Sequence, residues 1–282
     1  MAEIQLMYLF GFSTIDPERG RKIWDYMQEF KRESGRVVPE FLVFLNDLQG
    51  NDFNTIFRLF PTDTLHFVHS SNSIHWLSQV PQGIDQSNKG NIYVAKSSPP
   101  TVAEAYLKQF QRDFKVFLSC RSEEVLGGGR MVLTLLGRRS AHPYSKECCY
   151  FFELLAIALN DMASQGKIQE EKLNSFNMPL YEPSPAEVKY VIQNEGSFII
   201  NRLETFEINW DGEDAENTTI DKFTSSHKVA NCVRAAYEPL LVCHFGEAII
   251  DELFSRYREI VADHAPREES KHISIVISMT KG

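Results

Sequence analysis

Leu65-His66-Phe67-Val68-His69-Ser70-Ser71 is an apolar run that breaks into two serines, and three further runs of the same kind flank it. Phe41-Leu42-Val43-Phe44-Leu45 precedes it and stops at Asn46-Asp47, while Ile92-Tyr93-Val94-Ala95 and Arg130-Met131-Val132-Leu133-Thr134-Leu135-Leu136 follow. Short continuous apolar runs bounded by turn residues suit strands buried on both faces. Between the third and fourth runs, after Pro99-Pro100, residues Tyr106, Phe110, Phe114, Phe117 and Leu118 recur close to i, i+4 spacing and predict a helix. Gly127-Gly128-Gly129 then reads as a helix stop ahead of the fourth strand. Strand, helix and strand in alternation imply βαβ units around a mostly parallel sheet, an α/β fold.

Outward from this core the pattern changes. Cys148, Phe151, Phe152, Leu155, Leu159 and Met162 form one apolar helix face. Ser184-Pro185-Ala186-Glu187 is a capping box with proline at the first helical position, so a helix starts there, buries Val188, Val191 and Ile192, and stops at Gly196. Residues 198–210 read as a strand in which Phe206, Ile208 and Trp210 alternate, and residues 211–227 as an acidic, polar surface loop. Helices through Val229–Tyr237 and Ala248–Val261 follow, and Ile273–Met279 is a last strand that returns to the main sheet. Upstream, Ile4–Phe12 is a strand candidate, and Asp16-Pro17-Glu18 starts a helix with Ile23, Trp24, Met27 and Phe30 on one face.

Composition narrows the function. The chain has 282 residues with 29 Lys+Arg against 38 Asp+Glu, a net charge of −9. Duplex binding needs a basic surface to displace counterions, so nucleic acid is excluded as the main partner. Hydrophobic residues at 43% and charged residues at 24% are the proportions of a soluble globular enzyme. The five cysteines sit in apolar stretches without C-x-x-C or metal-ligand spacing, which implies reduced thiols and a cytoplasmic protein. The N-terminal Met-Ala-Glu-Ile-Gln-Leu lacks the base of a signal peptide, and no run is long enough to span a bilayer, so the expectation is neither export nor membrane insertion.

Ligands of doubly wound sheets bind outside the carboxyl ends of the strands, where an acid can hold a ribose diol. Asp47 stands at such a place, with capping of the next turn as the alternative. His75-Trp76 lies just beyond the Leu65 strand, where an indole N–H and an imidazole could orient a small carboxylate; packing of Trp76 with Leu77 and Val80 is the competing account. Cys148-Cys149 lies among aromatic residues and reads as packing. His66 and His69 are spaced for opposite faces of a strand, which argues against a shared metal.

Several longer motifs resemble one family. Residues 44–54, Phe-Leu-Asn-Asp-Leu-Gln-Gly-Asn-Asp-Phe-Asn, then residues 65–71 and His75-Trp76-Leu77-Ser78-Gln79-Val80-Pro81, are similar to the plant SABATH carboxyl methyltransferases. So are Gly128–Leu133, Pro183–Val188 and Arg234–Gly246 with its Glu238-Pro239-Leu240-Leu241. The resemblance implies a class I, Rossmann-like S-adenosylmethionine fold, incomplete at its N-terminal part, with a helical cap. Its divisions would be an unmatched segment 1–39, a partial cofactor-binding core 40–140, and a substrate cap 141–282 whose strands return to the core. It implies methyl transfer to the carboxylate of a small plant acid of jasmonate, salicylate or benzoate type, by a chain that in this family is usually a homodimer.

Carried over residue by residue, the resemblance puts Asp47 on the cofactor ribose, Leu48 on the adenine, and Ser71 and Asn72 beside the cofactor. Trp76 would donate to the substrate carboxylate, with His75, Leu136, Phe151, Phe152 and Tyr181 walling the pocket. Some relatives carry magnesium at positions matching Asn88, Asn174, Phe176 and Asn177, a set without a carboxylate and therefore poor for a hard cation. Salicylate-type relatives usually have Tyr and Met where this chain has Asn72 and His75, whereas jasmonate-type relatives tend to a small polar residue and His, which favours a non-aromatic acid. The family's Ser-Tyr-Ala-x-Asn segment, its glycine-rich cofactor turn and an adenine-contacting insertion between Phe57 and Arg58 have no counterpart here. The alternative is therefore a truncated, non-catalytic paralogue that binds small acids or pairs with intact relatives.

Overall fold

The computed structural model describes residues 5–10, 60–209, 222–264 and 271–282. Among the described residues five strands form one mixed sheet in the order β1-β2-β3-β5-β4. β1 (Gln5–Phe10), β2 (Leu65–Ser71) and β3 (Val125–Gly137) run parallel, and β5 (Lys271–Lys281) is antiparallel to both β3 and β4 (Phe198–Asn209). Within the Ile4–Phe12 stretch, Gln5–Phe10 forms β1, outermost among the described strands, and the last apolar run returns to the sheet between β3 and β4. The strand read at Phe41–Leu45 and the helix read from Asp16 lie outside the described residues.

Side chains alternate across the sheet as the pleat requires. Val68 of β2, Met131, Leu133 and Leu135 of β3, and Ile275, Ile277 and Met279 of β5 are fully buried on one face. Helix α1 (Pro100–Glu124), with Pro at its start and Tyr106, Phe110, Phe114 and Leu118 buried at helical spacing, packs with α4 (Pro185–Glu195) beside that core. At the end of α1, Arg121 and Glu124 form a fully buried pair at 2.8 Å, and Glu124 Oε1 also accepts from the Phe60 N–H. A second group of helices is built from α2 (Lys146–Ser164), α3 (Glu170–Ser175), α5 (Lys222–Phe245) and α6 (Ile250–His264), with α6 lying against α2 and α5. Among the described residues no helix is long and apolar enough to cross a membrane.

The capping box forms as the sequence requires. Ser184 Oγ accepts from the Glu187 N–H at 3.3 Å, Glu187 Oε2 accepts from the Ser184 N–H at 2.7 Å, and Gly196 ends the helix at φ +88°. Ser184→Ala should cost about 1 kcal/mol of stability in urea denaturation. An unchanged midpoint would show that this helix start is held by its neighbours alone.

Three expectations are corrected. Ile92–Ala95 is buried but is not a strand: the Ile92 carbonyl accepts from the Met178 N–H (2.7 Å), the Tyr93 carbonyl from Asn88 Nδ2 (3.2 Å), and the Ala95 N–H donates to Ser98 Oγ (3.0 Å). Loop partners have replaced a ladder. Gly127-Gly128-Gly129 is no helix stop but an irregularity inside β3, where the pairing jumps from Leu65–Val125 to Phe67–Arg130. Gly128 sits at φ +77°, and a Cβ on Gly129 would lie 2.8 Å from the Leu126 carbonyl, so the bulge requires glycine. Finally, α5 starts at Lys222 rather than Val229 and continues through Pro239 to Phe245, so residues 222–227 are helix rather than loop.

Candidate active site

The carboxyl ends of β2 and β3 lie side by side, and the chain leaving β2 folds back over them. Asn72 turns the chain at φ +54° while its N–H donates to the Thr134 carbonyl of β3 at 2.8 Å. Segment 75–77 then pairs with segment 179–181. The Tyr181 N–H donates to the His75 carbonyl and the Leu77 N–H to the Pro179 carbonyl, both at 2.8 Å, which sets Trp76 opposite Leu180. Downstream, Ser78 is tied to α1 through Asp113, whose carboxylate accepts from the Ser78 N–H (3.0 Å) and Oγ (2.9 Å). Trp76 is therefore fixed on both sides by backbone bonds rather than by side-chain packing alone.

A chain of aromatic contacts runs from this point. The half-buried Trp76 ring lies 5.7 Å from Tyr237 of α5, Tyr237 lies 5.3 Å from Phe152 of α2, and Phe152 lies 5.0 Å from Tyr93. Tyr93 Oη accepts from the Glu182 N–H at 3.1 Å, and Glu182 is two residues beyond Leu180, the partner of Trp76. Burial pushes the phenols of Tyr93 and Tyr237 well above the ordinary tyrosine range. These aromatic faces are accordingly uncharged.

His75, next to Trp76, is buried against β3. Its Nδ1 accepts from the Leu136 N–H at 3.3 Å, which assigns the ring proton to Nε2. Burial first, and His272 second, hold its pKa down to about 3, while burial holds His272 at about 4. Both imidazoles are neutral at physiological pH.

Of the pocket residues expected from sequence, the structure brings together His75, Trp76, Leu136 and Phe152. Tyr181 shares a backbone bond with His75, but its ring turns toward α1 and α4: its Oη donates to Glu187 (3.1 Å) and it packs against Phe110 and under Arg138. Phe151 is buried in the first half of α2, and its carbonyl accepts from Tyr257 Oη. Ser71 and Asn72 stand half-buried at the carboxyl end of β2; Asp47 and Leu48 lie outside the described residues. Sequence reasoning missed Tyr93, Tyr237, His272 and Glu182. The one signal for Glu182 was an acid inside the otherwise apolar Leu180–Pro183 stretch.

The four positions matched to magnesium do not fit that ion. Asn88 Oδ1 accepts from Ser98 Oγ (2.6 Å), Asn177 Oδ1 from Asn88 Nδ2 (2.8 Å), and Asn174 Oδ1 from the Gly90 N–H (3.1 Å). The buried Asn177 Nδ2 is a donor without a partner, which would oppose a cation, and Phe176 packs its ring on His244 and Phe245. A hard cation needs free oxygens, and these amides spend theirs on the 88–98 loop. Among the described residues no group of three His, Cys, Asp or Glu could hold a metal. The vicinal thiols of Cys148 and Cys149 both point at the Pro143 carbonyl, at 3.2 and 3.0 Å, and are free.

Comparison with known proteins agrees with this architecture. A benzoic acid/salicylic acid carboxyl methyltransferase of Petunia hybrida is 46% identical over 287 aligned positions, covering 90% of this chain and 78% of that protein. A probable jasmonic acid carboxyl methyltransferase of Theobroma cacao is 44% identical, covering 92% and 81%. Among solved structures, a loganic acid methyltransferase with S-adenosylhomocysteine superposes with a TM-score of 0.80 at 31% identity, over 99% of this chain and 86% of that one. The profile described as SAM dependent carboxyl methyltransferase matches residues 58–282. With its sheet, its enclosure beyond β2 and these relatives in agreement, the chain belongs to the S-adenosylmethionine-dependent carboxyl methyltransferase family.

Proposed function

We propose that the chain methylates the carboxylate of a small organic acid held in the aromatic enclosure, with the Trp76 indole N–H orienting the carboxylate. The observation that carries this reading is the chain of aromatic contacts from Trp76 through Tyr237 and Phe152 to Tyr93, which starts just beyond the carboxyl end of β2. S-adenosylmethionine supplies the methyl group as a sulfonium electrophile, and the electrons of the broken carbon–sulfur bond stay on sulfur as the new oxygen–carbon bond forms. Ser71 and Asn72, polar and half-buried at the strand ends, are the described residues suited to hold it, with Asp47 on its ribose and Leu48 on its adenine.

The chain's own task is then positional. A carboxylic acid with a pKa of about 4 is already ionised, so no general base is needed. Neutral His75 fits that requirement. The aromatic walls exclude water, and Trp76, held by the 75–77 and 179–181 pairing, fixes the attacking oxygen. Asn72 and His75 favour a non-aromatic acid of jasmonate type over salicylate or benzoate. The free thiols support residence in the reducing cytoplasm.

The test is titration of the purified chain with S-adenosylmethionine, beside an Asp47→Ala control, followed by methyl-ester detection with jasmonic, salicylic and benzoic acids. Binding that the control loses, together with ester formation, supports the reading. Folded protein that binds neither cofactor nor acid sinks it and leaves the non-catalytic paralogue. Trp76→Phe keeps the ring area but removes the N–H, and should lower kcat/KM about 10- to 100-fold without moving the melting temperature. An unchanged kcat/KM would remove the indole from the carboxylate site.

A further inference from the structure

A cavity of 520 Å³ lies at the carboxyl end of α5, bounded by the 80–85 loop, the 175–179 segment and the last turns of that helix. None of Trp76, Tyr237, Phe152 or Tyr93 lines it, so it is separate from the aromatic contact chain. Pockets that take small molecules commonly measure about 300–1,000 Å³.

Local sequence accounts for its walls. Leu240, Cys243 and His244 recur at i, i+3 and i+4 and so share one face of α5. His244 is fixed in place, because its Nε2 donates to the Lys172 carbonyl at 2.8 Å and its ring packs on Phe176 at 5.0 Å. Pro179 is fixed as well, its carbonyl accepting from the Leu77 N–H at 2.8 Å. With Val80 and Pro81, these residues give the cavity a largely apolar lining.

Three polar features of that lining define a ligand. Asp85 is its one carboxylate and no Lys or Arg lines it, so an anion would meet a like charge without a counter-charge. Asn177 is 3% exposed and forms part of the wall. Its Oδ1 accepts from Asn88 Nδ2 at 2.8 Å, while its own Nδ2, buried in that wall, is a donor without a partner. Such a donor is costly, and a carbonyl oxygen that accepts from it recovers the cost. Finally, Cys243 is the one exposed cysteine of the five and carries a free thiol. A soft nucleophile and a spare N–H donor in one apolar cavity suit a neutral molecule that joins a carbonyl oxygen to an electrophilic carbon.

We propose that this cavity binds neutral α,β-unsaturated ketones or aldehydes and that Cys243 adds to them. Sulfur forms a bond to the β-carbon, and the π pair of the double bond moves through the α-carbon onto the carbonyl oxygen as an enolate. The thiol proton ends on the α-carbon, which restores the carbonyl. No oxidant and no leaving group take part. Asn177 Nδ2 donates to the oxygen as it gains charge. Cys148 and Cys149 are buried and lie outside this cavity, so the adduct is confined to Cys243.

The experiment incubates the purified chain with oct-3-en-2-one, counts adducts by intact mass and locates them by peptide mapping. One adduct should form, at Cys243, and Cys243→Ser should abolish it. Its rate should saturate with enone concentration and exceed that of free glutathione about 10-fold or more. Octan-2-one, which keeps the acceptor but lacks the electrophilic carbon, should slow the reaction by competition. Asn177→Asp keeps the acceptor that Asn88 uses and removes the donor, and should slow the adduct about 10-fold. The same variant should leave the reaction of Cys243 with methyl methanethiosulfonate, a thiol reagent without a carbonyl, within about twofold. A rate that rises linearly with enone and matches glutathione would overturn the site, because any surface thiol behaves so; this arm needs no variant. Adducts spread over Cys120 and Cys232, or equal slowing of both reagents in Asn177→Asp, would overturn it too. None of these readouts uses the methyl donor or an acid, so they stand or fall apart from methyl transfer.

Discussion

Between pH 7.5 and pH 5 the two buried histidines, His75 and His272, should together remove about 4 kcal/mol of stability. Both are held well below the ordinary histidine value of 6.5, at about 3 and about 4. The unfolded chain therefore binds protons below pH 6.5 that the folded chain refuses. Stability falls as pH drops through 6.5 and keeps falling until the folded pKa is reached, at about 2 kcal/mol per imidazole by pH 5. Protonation of His75 would also place a proton on Nδ1, where the Leu136 N–H already points.

Glu182 works with the opposite sign. Its carboxyl is raised, so the folded chain holds its proton more tightly than the unfolded chain, and acid relieves that cost. The histidine contribution must accordingly be read as a difference. Urea denaturation of the unsubstituted chain and of His75→Gln/His272→Gln, at pH 7.5 and pH 5, should give a double variant that falls about 4 kcal/mol less. Parallel pH dependence in the two proteins would show that neither imidazole is held neutral by the fold.

Arg138→Met should cost about 3–5 kcal/mol, the range for breaking a buried charge network. Arg138 is fully buried where β3 ends, and it joins three pieces of chain. Nη2 pairs with Glu187 of α4 at 2.7 Å, Nε donates to the Ser140 carbonyl at 3.1 Å, and Nη1 donates to the Glu182 carbonyl. Its guanidinium also lies over Tyr181 at 5.3 Å. Methionine fills the volume but leaves buried carbonyls without donors and Glu187 without its cation. Arg138→Lys should recover only a minor part, since one ammonium cannot meet acceptors in three directions. Thermal melts and urea midpoints read this directly, and a loss under 1 kcal/mol would mean that water or a neighbour replaces the guanidinium.

The elements legible in the sequence were those whose burial follows a simple period. Val68 with its serine stop, the i, i+4 aromatics of α1, the Ser184 capping box and the alternating last strand each announce their own structure. Ile92–Ala95 misled because its apolar run is buried under loops, where Asn88, Ser98 and Met178 satisfy its backbone. Periodicity reports burial there and says nothing of hydrogen-bond partners. The site was half legible. His75 and Trp76 follow a strand end, but Tyr93, Glu182 and Tyr237 come from three distant segments that only the 75–77 and 179–181 pairing and α5 bring together.

The position of β5 has a consequence for synthesis. Arg130 of β3 pairs with Thr280, 150 residues later, and β4 reaches the sheet only through the same strand. A nascent chain can assemble α1 and the parallel strands early, but β3 and β4 both present bare edges until β5 has left the ribosome. Such long-range pairing slows closure, and exposed edges invite pairing with other chains. The window of vulnerability thus opens when β3 is complete at Gly137 and closes only when β5 is complete at Lys281.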